Sequence, residues 1–211
     1  MGGMTPVSTP TPKSPPRPRR SSAETREHVL AVAQELFYWE GIHATGIDRV
    51  AAAAQVAPTT LYRLFASKDD LVAAYIERTA EGYREDITTA TSPTVGTPRE
   101  RILSIFDVLA RQVQPENCRG CPFLMALAEF PDPQSPVHVG ATAVKAWVRR
   151  RLHELTRELA EETPFTDPAG LADQLALVVE GVYASVQALT AAGPAMQARA
   201  TAEALIDAAH R

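Results

Sequence analysis

Cysteine is scarce: Cys118 and Cys121 are the only two in 211 residues, too few for the disulfide framework that staples a small extracellular fold. Long apolar runs are wanting as well. The longest are broken by Gln, Glu, Asp or Arg, short of the ~20 residues that span a bilayer, so no membrane partner is expected. The amino-terminal stretch carries Pro, Ser, Thr and basic residues where a secretory signal would have an apolar core, which makes the cytoplasm the simplest address. Alternating Val/Thr/Tyr runs, an Asn-Gly hairpin turn and a repeat of fixed period are absent, and with them the usual signs of sheets and solenoids. No acid/base carboxylate pair, phosphate-cradling Gly loop or nucleophile triad stands out, so neither catalytic residues nor a cofactor nor a metal site is expected.

What remains is ordinary globular material, 45% hydrophobic and 22% charged, enough to bury a core without staples. The net charge of −4 conceals an asymmetry. Residues 1–65 hold seven basic side chains (Lys13, Arg17, Arg19, Arg20, Arg26, Arg49, Arg63) against five acids, and the rest of the chain is acidic. A phosphate-binding surface therefore belongs near the front. Residues 1–20 contain six prolines and four basic residues and are expected to form a disordered arm. Arg17, Arg19 and Arg20 then either follow a DNA groove or merely solubilise the chain.

Helix punctuation begins at Ser21. Ser21 and Glu24 form a capping box; Val29, Ala33, Leu36 and Phe37 follow at helical spacing, and Gly41 stops the run. A second box at Thr45–Asp48 opens a short helix with Ile47, Val50, Ala51 and Ala54 inward, and Pro58 starts a third through Phe65. Further starts fall at Ser67, Thr97, Pro122, Ser135–Pro136 and Asp167–Pro168. Gly193–Pro194 is read as the end of the penultimate helix, and a last one runs to near Ala209. The fold class expected is all-α, with three amino-terminal helices in fewer than fifty residues followed by longer ones.

Residues 45–65 read as helix, tight turn and helix, a geometry in which one helix braces on a DNA backbone while the next enters the major groove. Inward apolar residues explain the packing but not the outward set Thr59, Thr60, Tyr62 and Arg63, whose hydroxyls and guanidinium suit phosphates and base edges. From topology alone a solvated face is the better explanation, and the residue string reverses that order. The string from Glu24-Thr25-Arg26 through Ala33–Phe37, Gly41–Thr45, Ile47, Val50-Ala51, Val56, Pro58, Leu61–Arg63, Phe65, Ser67-Lys68 and Leu71 resembles the DNA-binding domain of TetR-family transcriptional regulators, in register over residues 24–77.

The resemblance implies a homodimer on double-stranded DNA. It makes Thr45 a phosphate contact at a helix start, Thr59, Thr60 and Arg63 base or backbone contacts, and Tyr62 and Lys68 backbone contacts. The chain departs from the family pattern at Gln55, where Gly is usual in the turn, at Ala57, which replaces a capping hydroxyl, and at Thr59 and Leu64. These changes leave the operator unreadable. The domains implied are an arm at 1–20, a helix-turn-helix domain at 21–66 and a regulatory and dimerisation domain at 67–211.

In that second domain the resemblance implies a small effector that shifts the fourth helix and releases DNA. Candidate pocket residues are Phe106, Leu109, Phe123, Met125, Trp147 and Tyr183; plain core is the first reading of each, and a mostly apolar effector the second. The apolar stripe Leu171, Leu175, Val178, Val179, Val182, Val186 and Leu189, with small Ala184, Ala188, Ala191 and Ala192, is assigned to the dimer interface that the resemblance implies rather than to a monomer core. Cys118-Arg119-Gly120-Cys121 has the spacing of a redox dithiol, lacks a second pair for zinc, and is read first as two inert thiols. The chain is thus expected to be a ligand-responsive repressor. An all-α redox enzyme and a DNA-binding scaffold without an effector are the competing readings.

Overall fold

Each helix start announced by a capping residue marks a helix in the computed structural model, which describes residues 21–211 except 115. The described elements are helical throughout: α1 (Ser22–Glu40), α2 (Ile47–Ala53), α3 (Pro58–Leu64), α4 (Lys68–Ala90), α5 (Pro98–Gln112), α6 (Pro122–Glu129), α7 (Pro136–Glu162), α8 (Pro168–Leu189) and α9 (Ala198–Ala209). The arm, with Arg17, Arg19 and Arg20, lies outside the described residues.

Local chemistry sets the boundaries. Ser21 and Thr97 form complete capping boxes with Glu24 and Glu100, while Ser67 and Asp167 accept the amides of Asp70 and Gly170. The second box does not form. The residue capping α2 is Gly46, without a side-chain hydrogen bond, because the Thr45 hydroxyl turns inward to donate to the Gly41 carbonyl at 2.8 Å. α8 also stops sooner than expected. Thr190 at φ 50° breaks it after Leu189, and short 3-10 turns carry the chain past Gly193–Pro194 to α9.

Helices α1–α3 form a head whose interior is Val29, Ala33, Phe37, Ile42, Val50, Ala51, Ala54, Leu61 and Phe65, all buried. α4 packs against α1 of the head and against α5 and α7 of the body, and α7–α8–α9 complete the bundle. Tyr75 on α4 is buried with its ring centroid 5.7 Å from that of Phe37, so head and body share one interior.

The stripe assigned to a dimer interface is corrected by this packing. Leu175, Val179, Val182 and Val186 are buried within the protomer and Val178 is partly covered; only Leu189 stands out, half exposed. Helical periodicity puts a different set outward: Leu177, 72% exposed, with exposed Gly181, Ala184 and Ala188 one and more turns on. The absence of a long apolar segment is corrected too. Pro168–Ala192 is long and apolar enough to cross a membrane by length and composition, because its two apolar faces, one inward and one outward, add together.

The α2–α3 turn shows the effect of Gln55. The Val56 amide bonds the Ala51 carbonyl and the Gln55 amide that of Ala52, a Schellman closure whose left-handed position is normally Gly. Gln55 occupies it at φ 56°. Gln55→Gly is therefore expected to raise stability by about 1 kcal/mol, the left-handed penalty less the entropy of Gly. Denaturant unfolding checks this, and a loss of stability would contradict it.

Candidate nucleic-acid interface

Leu61 anchors α3, fully buried in the head, and its burial decides which residues face out. Thr59, Tyr62 and Arg63, three and four positions apart, lie on the opposite side and are exposed; Thr60 is half-buried. Tyr62 keeps 55% of its surface, and Arg63 has no ion pair among the described residues. A phenol, a hydroxyl and an unpaired guanidinium on one face can meet phosphates and base edges together. Pro58 at the first helical position compensates in part for Ala57, which offers no capping hydroxyl.

Two other expected contacts sit differently. Lys68, half-buried at the start of α4, brings its Nζ within 3.4 Å of the His43 carbonyl, at the turn between α1 and α2. Thr45 is 1% exposed. Its hydroxyl holds the helix turn together and is not presented to a phosphate.

That same turn is clasped from the body. Glu129, the last residue of α6, accepts the Ile42 amide at 3.0 Å, the His43 amide at 2.5 Å and sits 2.9 Å from His43 Nδ1, while the His43 ring stacks on Phe130. Burial pushes the Glu129 carboxyl up, but these amides and the His43 ring outweigh it and hold it below the usual carboxylate range. A second clasp lies beside it, in the last turn of α1. The Tyr38 phenol accepts the Arg119 amide at 2.7 Å and donates to the Gly120 carbonyl at 3.0 Å, and the Arg119 guanidinium returns to the Tyr38 carbonyl at 2.8 Å. Burial, then the neighbouring Cys118, pushes this phenol up to about 12. Gly120 is required at φ 143°, where a Cβ would lie 2.8 Å from Gln187 Oε1. Neither clasp was announced by the sequence, since their partners are more than eighty residues apart. Cys118 and Cys121 are free and buried in this loop, and no cluster of metal-ligating side chains occurs among the described residues.

Beside the Tyr38 clasp lies a cavity of about 480 Å³ bounded by α1, α4, the end of α5, the 117–122 loop and α8. Of the six expected pocket residues, Phe123 and Tyr183 line it, and Met125 lines a neighbouring cavity of about 400 Å³. Phe106 and Leu109 are instead buried core, and Trp147 packs partly covered against that core. They occupy inward helix faces already filled by neighbours, which periodicity cannot distinguish from a cavity wall. Tyr38, Trp39, Tyr75 and Tyr83, unforeseen, form the aromatic walls.

Comparison with known proteins agrees with this architecture. The family model for bacterial regulatory proteins of the tetR family matches residues 29–75, and the model for the tetracyclin repressor-like carboxy-terminal domain matches residues 98–202. The crystal structure of a TetR-family transcriptional regulator from Streptomyces coelicolor superposes with a TM-score of 0.82 at 30% identity, covering 90% of this chain and 97% of that one. The HTH-type transcriptional regulator YjdC of Escherichia coli is 27% identical over 74% of this chain and 80% of its own length. The HTH-type transcriptional repressor NemR of the same organism is 27% identical over 64% and 70%.

The Glu129 clasp makes a pH-dependent prediction. A carboxyl whose folded pKa is depressed stabilises fully above its unfolded value and loses that contribution as pH falls through the folded one. Glu129→Gln is expected to cost about 1 kcal/mol near neutrality, a charge-assisted pair of bonds discounted for solvent screening. The difference from the parent should vanish in acid. Thermal melts across the acidic range check it; a gap that persists below the depressed value would contradict it.

Proposed function

Since the chain belongs to the TetR family of transcriptional regulators, we propose that it is a dimeric repressor whose two α3 helices read a pseudo-palindromic operator and whose grip is loosened by a small-molecule effector. The family is one of DNA-binding regulators, not of enzymes. The observation that carries the reading is the outward face Thr59, Tyr62 and Arg63, backed by buried Leu61. Thr60 flanks that face and Lys68 lies beside it on the α1–α2 turn. The repressor sense draws on NemR, a repressor by name, and the cytoplasm is the compartment where such a protein meets DNA.

Dimerisation is supported by the exposed α8 face. Leu177, Gly181, Ala184 and Ala188 make a flat apolar strip on a long helix, with Leu189 and Met196 exposed at its end; small residues let a second copy's helix approach closely. Two-fold symmetry would then set the recognition helices one DNA turn, about 34–36 Å, apart. An effector acts if it binds the released arrangement better than the DNA-bound one, and DNA must weaken its binding by the same factor. The cavity at the head–body junction is the place where such a difference is generated. With Phe106, Leu109 and Trp147 elsewhere, a mostly apolar effector loses its basis.

Two experiments test the proposal. Duplexes selected from a random pool by the full chain should share an inverted repeat. On the selected duplex Arg63→Ala and Tyr62→Phe should weaken binding by about tenfold or more and a few-fold respectively. Lys68→Ala should lower the salt slope by about one. No enrichment, or an unchanged affinity for Arg63→Ala, would refute DNA reading by α3. In sedimentation the parent should run as a dimer and Leu177→Glu as a monomer; a dimeric Leu177→Glu variant would remove α8 from the interface.

A further inference from the structure

The larger cavity has a property that its overall position does not explain: its walls are aromatic and its unpaired charges are acidic. Trp39 of α1, Tyr75 and Tyr83 of α4 and Tyr183 of α8 surround it, and Glu35 and Asp86 stand on its border. Neither carboxylate has a cation partner among the described residues; Asp86 takes only the Gln112 amide, at 2.8 Å. The cations at hand are engaged. Arg78, in the same wall, is ion-paired with Glu27. Lys145 lies 5.8 Å from the Tyr183 ring centroid and is bonded to both oxygens of Glu180 at 2.9 and 2.7 Å. Arg119 faces the smaller cavity.

A second observation points to a missing occupant. Tyr75 is 2% exposed and borders both cavities, yet its hydroxyl makes no hydrogen bond with any described residue. The oxygen itself is not sealed off; it opens on the cavity as a polar group that water or a ligand can bond. Burial raises the pKa of Tyr75, Tyr83 and Tyr183, so the rings stay neutral and present π faces rather than phenolates.

We infer that this junction cavity binds an aromatic organic cation, held by the faces of Trp39, Tyr83 and Tyr183, neutralised by Glu35 and Asp86, and offering an acceptor or donor to the Tyr75 hydroxyl. Ring quadrupoles attract cations, most strongly where water is excluded, and an anion would meet two unpaired carboxylates. The volume suits a molecule of about three fused rings. Because Glu35 and Trp39 belong to the head and Tyr83 and Asp86 to α4, the occupant bridges the two and fixes the angle between them. This consequence for DNA rests on the effector reading above; the binding itself does not.

The probes are N-methylacridinium, neutral acridine and acridine carboxylate, which share one shape and differ in charge. They are titrated by fluorescence into the full chain at about pH 8, where the carboxylates are ionised. The cation should bind at least about tenfold more tightly than acridine, and the anion more weakly than either. Glu35→Gln with Asp86→Asn should erase the cation's advantage while leaving acridine binding unchanged. Tyr75→Phe should keep the fold, as read by circular dichroism, and weaken acridine, whose ring nitrogen accepts from the hydroxyl, a few-fold, while N-methylacridinium, which has no such acceptor, binds as before.

Equal or tighter binding of the anion, an undiminished preference in the double variant, or no saturable binding of the cation below about 1 mM would overturn the assignment. Release of the selected duplex is read in parallel. Cation binding without release refutes the effector reading and leaves the site standing; release by all three probes alike refutes the cation site and leaves the effector reading standing.

Discussion

One helix belongs to two interiors, and the rest of the structure depends on that sharing. Leu71, Val72, Tyr75 and Ile76 on α4 are all buried; α4 is covered by α1 on one side and by α5 and α7 on the other. A close-packed interior resists continuous deformation, so the head cannot turn freely on the body, and a shift of α4 carries the head with it. The clasps at Glu129 and Tyr38 reinforce the same joint side by side, at the carboxy-terminal end of α1. They are hydrogen bonds at partly exposed positions, weaker than the packed core and so the first to yield. This combination of a firm axle and breakable ties suits a molecule that must hold two recognition helices at a set spacing and then lose it.

The cavity lies along this axle, with α1 on one wall and α4 on another. Anything filling it acts on the angle between head and body without touching the DNA surface on α3. Tyr75 marks that arrangement, a buried ring whose hydroxyl opens on the cavity without a protein partner. Functional sites commonly retain such an unmet group.

Local chemistry made most of the fold legible. Ser21, Ser67, Thr97 and Asp167 each cap the helix they announce, and Gln55 takes the left-handed turn its position demanded. The outward residues of α3 followed from the period around Leu61. Periodicity misled where a helix has two apolar faces: on α8 the wider stripe turned inward, and Leu177 and its small neighbours faced out. At Thr45 a hydroxyl had a choice between its own helix start and the Gly41 carbonyl, and the sequence carries no sign of which is nearer. The junction was invisible for a different reason. Tyr38 meets residues 118–120 and Glu129 meets Ile42 and His43 across separations that no window spans, and the cavity is a gap among packed helices that residue types alone do not mark.

The central claim is that α3 is the surface that meets DNA. Amide hydrogen exchange of the full chain, with and without a selected duplex, tests it most directly. Exchange should slow across Pro58–Leu64 and at the α1–α2 turn, with the exposed face of α8 unaffected. Exchange across α3 that is indifferent to bound duplex, or protection confined to the body, would contradict it.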